Sequence, residues 1–136
     1  MIQRIQSVWL LLAAAAAFLT FKFSFYFGLK TSSNINEPLN ATSNILLIIL
    51  AAATGIGALV TIFLFKDRKT QIRLTLILLI LSLLSLVIDF TEINKFTNGR
   101  ITISAIISFI IPVFLFLGLQ GIWKDQKLVK SLDRLR

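Results

Sequence analysis

Hydrophobic positions along the chain fall into four long uncharged runs separated by short polar segments. The runs cover residues 5–21, 45–65, 74–88 and 101–123. About 20 apolar residues of helix cross a hydrocarbon core ~30 Å thick, so uncharged runs of this kind indicate membrane spans. The pattern predicts an all-α membrane protein, an up-down bundle of four transmembrane helices near residues 5–22, 44–65, 72–92 and 101–123.

The last thirteen residues, 124–136, differ from these runs. Leu128, Leu132 and Leu135 are spaced by four and three, so they share one face of a helix, and charged residues surround them. The spacing predicts a short amphipathic C-terminal helix on the membrane surface, either continuing from the fourth helix or just breaking after it.

Two polar segments connect the predicted spans on one side of the membrane. Residues 21–27 alternate phenylalanines with polar or amphipathic residues, which is typical of a strand but also of an aromatic helix end at the interface. Both interpretations of residues 21–30 stay open. Residues 31–43 are expected to be a loop, and residues 94–100, which contain Asn98-Gly99, a short turn.

Composition agrees with a single membrane domain over residues 1–136. Hydrophobic residues make up 57% of the chain, against ~45–50% in typical soluble domains. The first run could also be a signal peptide, but no small-x-small cleavage site follows it, and we expect a retained span.

The net charge of +8 reflects membrane topology better than nucleic-acid binding, because the basic residues flank the apolar runs. If the spans alternate, ten Lys and Arg residues lie on the side of the termini and four on the other. The positive-inside rule therefore predicts cytoplasmic N- and C-termini.

The chain contains no cysteine and no histidine. Zinc protease sites, Ser–His pairs and redox CxxC pairs need those residues, and no glycine-rich phosphate loop is present. We therefore expect no enzyme activity, no catalytic residues, no metal and no cofactor.

The third run carries a candidate polar or ion site. Ser82, Ser85, Asp89 and Glu92 are spaced by three, four and three, which places them on one helical face. An ionisable residue near a membrane is a functional hypothesis, and Asp89 could bind a cation or relay a proton. The alternative, which we favour here, is that Asp89 and Glu92 lie in the outer headgroup region.

Small residues mark candidate helix-packing positions, since they let helix backbones approach closely in a membrane. They could serve packing within the bundle, which we favour, or docking of another protein. These residues are Ala51, Gly55 and Ala58 in the second run and Gly118 and Gly121 in the fourth.

Both ends of the sequence resemble those of a known protein family. The opening MIQRIQSVWLLLA and the ending KDQKLVKSLDRLR resemble a bacterial family of small four-helix membrane proteins known as domain of unknown function 4293. Gln126 stands where that family commonly has an acid, and Leu132 where it has a small residue. The resemblance implies a bacterial inner-membrane location and brings no activity with it.

Basic residues near both ends are candidate contacts for lipid headgroups or for a cytoplasmic partner. Each basic residue near an anionic surface is worth ~1 kcal/mol. From the small size and the lack of catalytic residues, we expect a non-catalytic accessory or scaffolding subunit of a larger membrane complex. The alternative is a small homo-oligomeric ion or solute transporter or channel. The candidate contacts are Arg4, Lys124, Lys127, Lys130, Arg134 and Arg136.

Overall fold

Four helices make up most of the protein. The structure, a computed structural model, describes residues 2–136, with side chains from residue 5 onward. Helix α1 is Ile2–Leu19, α2 is Ile45–Phe63, α3 is Arg68–Ile93 and α4 is Ala105–Arg134. Helices α2, α3 and α4 are long and apolar enough to cross a membrane, whereas the described apolar part of α1, Ile5–Leu19, is shorter.

The helices pack side by side around one apolar core. Helix α1 lies against α4 and α2, and α3 lies against α2 and α4. Leu10 and Ala13 of α1, Ala58 of α2 and Leu115 of α4 are all completely buried. The alanines of α1 have little side chain to hold helices apart, so its neighbours can approach closely and gain dispersion contacts.

Side-chain caps fix where α2 and α3 begin. Asn44 accepts a hydrogen bond from the backbone N–H of Leu46 at 3.0 Å. Asp67 accepts from the Thr70 hydroxyl at 2.6 Å and from its backbone N–H at 3.4 Å. Such caps satisfy N–H groups that have no partner in the first turn. Helix α3 therefore begins at residue 68, earlier than the uncharged run predicts, and its first turns are polar.

A small antiparallel sheet corrects the all-α expectation. Strand β1 is Tyr26–Lys30, β2 is Asn36–Leu39 and β3 is Phe96–Ile101, in the order β2-β1-β3. The aromatic alternation of residues 21–27 therefore leads into a strand, although the strand itself begins only at Tyr26. The expected turn at residues 94–100 is instead mostly an edge strand. Local sequence could not reveal it, because β3 is stabilised by pairing with residues about 70 positions away.

Asn98 and Gly99 form an irregularity in β3 rather than a chain reversal. The register passes from Phe27 opposite Arg100 to Leu29 opposite Thr97, so two β3 residues face the single residue Gly28. Asn98 has φ 54°, in the left-handed region that asparagine tolerates better than most residues. This is the geometry of a β-bulge, which lets strands continue after an extra residue.

The sheet brings the two connections together at one end of the bundle. Strands β1 and β2 belong to the α1–α2 connection and β3 to the α3–α4 connection, so their pairing requires both connections to lie on the same side. A second apolar cluster joins the sheet to the helices through Phe25, Tyr26, Leu39, Leu86 and Ala105.

Helix α4 runs on through the C-terminal segment. We expected residues 124–136 to be helical, either continuing from the fourth helix or just breaking after it. Helix α4 continues without a break to Arg134, with Pro112 inside it. Thirty helical residues extend about 45 Å, longer than the ~30 Å hydrocarbon core. The helical prediction for the tail is confirmed as far as Arg134, and of the two alternatives the structure has the continuous helix.

Candidate functional site

A small polar cavity lies where the four helices meet, near the sheet. Its volume is about 30 Å³. Each helix or its immediate end contributes a hydroxyl-bearing side chain to the lining, and α3 also contributes a carboxylate. The polar lining residues are Thr20, Thr54, Ser82, Ser85, Asp89 and Ser108.

Asp89 is the ionisable residue of this cavity. Its side chain is buried, with 7% of the residue exposed. It forms no hydrogen bond and no ion pair with any residue from 5 to 136, the part whose side chains are described. A buried carboxylate is costly unless it is neutral, paired or ligated. Asp89 is thus packed between helices, four residues before α3 ends, and its location at the depth of the headgroups stays a prediction.

Four of the five hydroxyl groups that line the cavity donate their protons to backbone carbonyls; Ser108 is the fifth. Thr54 Oγ1 donates to the Leu50 carbonyl at 2.7 Å. Ser82 Oγ and Ser85 Oγ donate at 2.8 Å to carbonyls one turn earlier in α3. Thr20 Oγ1 donates to the Ala17 carbonyl at 2.6 Å. A hydroxyl has one proton and two lone pairs, so these oxygens retain only acceptor capacity for a further partner.

Glu92, the fourth residue of the predicted stripe, does not line the cavity. Its Oε1 accepts from Asn44 Nδ2 at 2.8 Å and from Lys95 Nζ at 2.7 Å. Glu92 therefore links the start of α2 to the end of α3. The structure brings Ser82, Ser85 and Asp89 together and separates Glu92 from them.

Comparison with known proteins identifies the family. Residues 2–135 match the family described as Domain of unknown function (DUF4293). The chain belongs to the DUF4293 family. No curated protein and no solved structure matches it. The resemblance seen at the two ends of the sequence is therefore confirmed over nearly the whole chain.

In this DUF4293 protein, the small residues of α2 and α4 lie against α1 or in the core. A Cβ atom added at Gly55 would lie 2.9 Å from Phe18 Cζ, and one at Gly118 would lie 3.3 Å from Leu10 Cδ2. Gly121 accepts a hydrogen bond at its carbonyl from Gln6 Nε2 at 2.9 Å. Ala51 and Ala58 are buried as well. These positions make contacts within the chain, so none of them offers a free docking face.

The basic C-terminal part of α4 is exposed, unlike the small residues that pack against α1. Every residue from Lys127 to Arg136 is exposed, and so is Lys124. Leu128, Leu132 and Leu135 are 49%, 63% and 85% exposed. The Arg4 side chain lies outside the described part of the chain. We call residues 127–136 the α4 extension.

The base of the α4 extension is fixed to the bundle. Asp125 is buried, and its backbone carbonyl accepts a hydrogen bond from Arg68 Nη1 at 3.1 Å. Arg68 begins α3, so this contact joins α3 to α4 two residues before the extension starts. The sequence did not predict it, because a backbone acceptor leaves no mark in the residue pattern.

The sequence also did not single out Thr20, Thr54 or Ser108 as residues that line one cavity with Asp89. Each is an isolated hydroxyl residue at or near an apolar helix, a pattern that also suits simple back-bonding to the helix. Their common feature is spatial, since the fold brings all three to one cavity.

Proposed function

We propose that this DUF4293 protein is a four-span protein of the bacterial inner membrane that serves as a non-catalytic accessory or scaffolding subunit of a larger complex. Three long apolar helices and a basic end opposite the sheet support membrane insertion with cytoplasmic termini. The described apolar part of α1 rises roughly 22 Å, short of a ~30 Å core. Local bilayer thinning accommodates such a span at modest cost.

The observation that carries the accessory role is the α4 extension. It presents leucines and basic side chains on a segment in which every residue is exposed. Burying one leucine fully is worth ~1.5–3 kcal/mol, so three leucines can hold a partner reversibly. With four basic residues against one acidic residue, the extension suits an acidic groove on the cytoplasmic face of another membrane subunit.

Removal of the extension tests this role. Deletion should begin at residue 127, because Asp125 contributes to the bundle through Arg68. The truncated chain should insert normally and lose a specific partner when native membranes are solubilised in mild detergent and co-purifying proteins are identified by mass spectrometry. Leu132→Ser should weaken the same association, whereas Ser131→Ala, an exposed neighbour, should not.

A truncated chain that retains every native partner would contradict the docking role. A full-length chain that purifies without stoichiometric partners would contradict the accessory role as a whole. Retention of the partners together with weaker binding to anionic vesicles would assign the extension to lipid instead.

A second function, a small homo-oligomeric cation transporter, is favoured by the polar cavity. Acidic residues inside membrane bundles commonly mark ion or proton paths. Flux of sodium, potassium and protons into proteoliposomes, with Asp89→Asn as the control variant, separates this function from the first. Absence of any Asp89-dependent flux would exclude transport of these ions.

A further inference from the structure

We propose that the cavity beside Asp89 binds one small monovalent cation, a sodium ion or a proton carried by water. This proposal does not depend on the accessory role, and it requires no transport, since a bound cation can also be a fixed part of the fold.

The first argument is the donor and acceptor balance of the lining. Thr20, Thr54, Ser82 and Ser85 all spend their hydroxyl protons on backbone carbonyls. Their remaining lone pairs, together with the Asp89 carboxylate, make a set of oxygen acceptors. Among the described lining side chains, only the Ser108 hydroxyl keeps a proton to donate, so acceptors outnumber donors. Oxygen-only sets suit hard cations, whereas an anion needs donors.

The second argument is charge. Asp89 is the one ionisable residue among the described residues that line the cavity; those from α1, α2 and α4 are alanine, serine, threonine and apolar residues. Glu92, one turn further along α3, is held by Asn44 and Lys95. A single carboxylate balances a single positive charge, whereas calcium and magnesium sites usually draw on more oxygen ligands than this and often on several carboxylates.

The third argument is size. A cavity of about 30 Å³ holds roughly one water-sized species. A sodium ion or a protonated water fits this space, and an organic cation does not. Because the lining comes from all four helices, an occupant would connect them to one another, so its binding should stabilise the fold.

Thermal unfolding of the purified full-length protein in mild detergent tests the proposal. Trp9 and Trp123 provide the fluorescence signal. The unfolding temperature is measured in sodium, potassium and choline chloride at equal ionic strength and pH 7.5, and then in choline chloride from pH 8 to pH 5. Wild type should be stabilised by sodium in a saturable manner, by acid, or by both, with potassium and choline inactive.

Four variants make the test specific to the cavity. Asp89→Asn should remove the cation and acid responses, and Glu92→Gln should preserve them because Glu92 lies outside the cavity. Thr54→Val should weaken the apparent affinity about tenfold, and Thr54→Ser should restore it, because a polar contact to a charged group typically contributes that much. The two Thr54 variants keep the proposal testable if Asp89→Asn does not fold.

The salt series and the pH series together identify which cation the cavity binds. A sodium response that depends on Thr54 and fades as the pH falls assigns the cavity to sodium in competition with protons. An acid response without a sodium response, lost in Asp89→Asn, assigns it to the proton. Equal behaviour in all salts with no acid response, or the wild-type responses in Asp89→Asn, would overturn the proposal.

Discussion

Strands β1 and β3 approach each other closely at Gly28, which gives a sharp prediction for Gly28→Ala. A Cβ atom at this position would lie 2.7 Å from Gly99 Cα and 3.2 Å from Gly99 N. Non-bonded carbon atoms prefer about 3.5–4.0 Å, so β1 and β3 would have to separate by roughly 1 Å. The obstacle is backbone, which cannot rotate away as a side chain can.

Overpacking of this kind typically costs ~1–3 kcal/mol. Each ~1.4 kcal/mol corresponds to a factor of ten, so amides in β1 and β3 should exchange about 5- to 150-fold faster. Hydrogen–deuterium exchange with mass spectrometry measures this on peptides from the sheet. Peptides from the centre of α3 serve as the internal control and should be unchanged.

Gly99→Ala offers a matched comparison. The added methyl group would overlap the Tyr26 ring, with Tyr26 Cζ 2.5 Å away. Here a side chain is the obstacle, so removing the ring by Tyr26→Ala should relieve the clash. Tyr26→Ala should relieve much less of the Gly28→Ala defect, because the Gly99 backbone remains in place. A double-mutant cycle separates the two cases.

Sheet amides that exchange at the wild-type rate in Gly28→Ala would refute the steric reasoning. They would mean that the two strands can shift apart freely. If Tyr26→Ala relieved the Gly28→Ala defect as fully as the Gly99→Ala defect, the obstacle at Gly28 would be the Tyr26 ring and not the Gly99 backbone.

Three further predictions concern other parts of the fold. Reporter fusions at Asn36 should report an outside position and fusions at Lys69 an inside one; a cytoplasmic signal from Asn36 would overturn the topology. Thr70 lowers the pKa of Asp67 by hydrogen bonding to its carboxylate, so Asp67 stabilises the fold above about pH 4 and loses this effect as the pH falls. The difference in unfolding temperature between wild type and Asp67→Ala should therefore shrink in acid; a difference independent of pH would count against it. Asn44→Ala should lower stability by about 1 kcal/mol in thermal unfolding, since it removes the cap of α2 and a hydrogen bond to α3; unchanged stability would contradict this.

The sequence predicts most of the helical architecture because one simple rule, that a long uncharged run forms a helix, holds over most of the chain. Helix α2 begins and ends within two residues of the prediction, 45–63 against 44–65. Its sharp ends come from the Asn44 cap and from the charged residues that follow residue 65. Where charge is tolerated in a helix, the rule fails, as in the first turns of α3 and the last three turns of α4.

The sheet was harder to predict for a physical reason. The β1 segment showed a local alternation, but a lone strand is not stable without partners. Its partner β3 contains Asn98-Gly99, which suits a turn in isolation and becomes a bulge only because β1 lies beside it. No single segment carries that information.

The candidate site was predictable only in part. The spacing of Ser82, Ser85 and Asp89 on one face of α3 is a helical property and follows from the sequence. Which residues of other helices face them depends on helix rotation and on the packing of α1. Glu92 continues the same helical spacing but does not line the cavity, because its carboxylate binds Asn44 and Lys95 instead.

The sheet and the cavity are structurally connected, which gives the cation proposal one more consequence. Phe25 and Ala41, which belong to the connection that contains β1 and β2, line the cavity together with Asp89. The backbone N–H of Ala41 donates to the Thr20 carbonyl at 3.1 Å, and the backbone N–H of Thr102, just after β3, donates to the Phe25 carbonyl, also at 3.1 Å. Loosening the sheet should therefore disturb one wall of the cavity without substituting any candidate ligand. Gly28→Ala should weaken the sodium or acid response while Asp89 and its hydroxyl neighbours are intact. If sheet exchange accelerates but the cation response is unchanged, the helices alone hold the cavity, and the sheet has no part in binding.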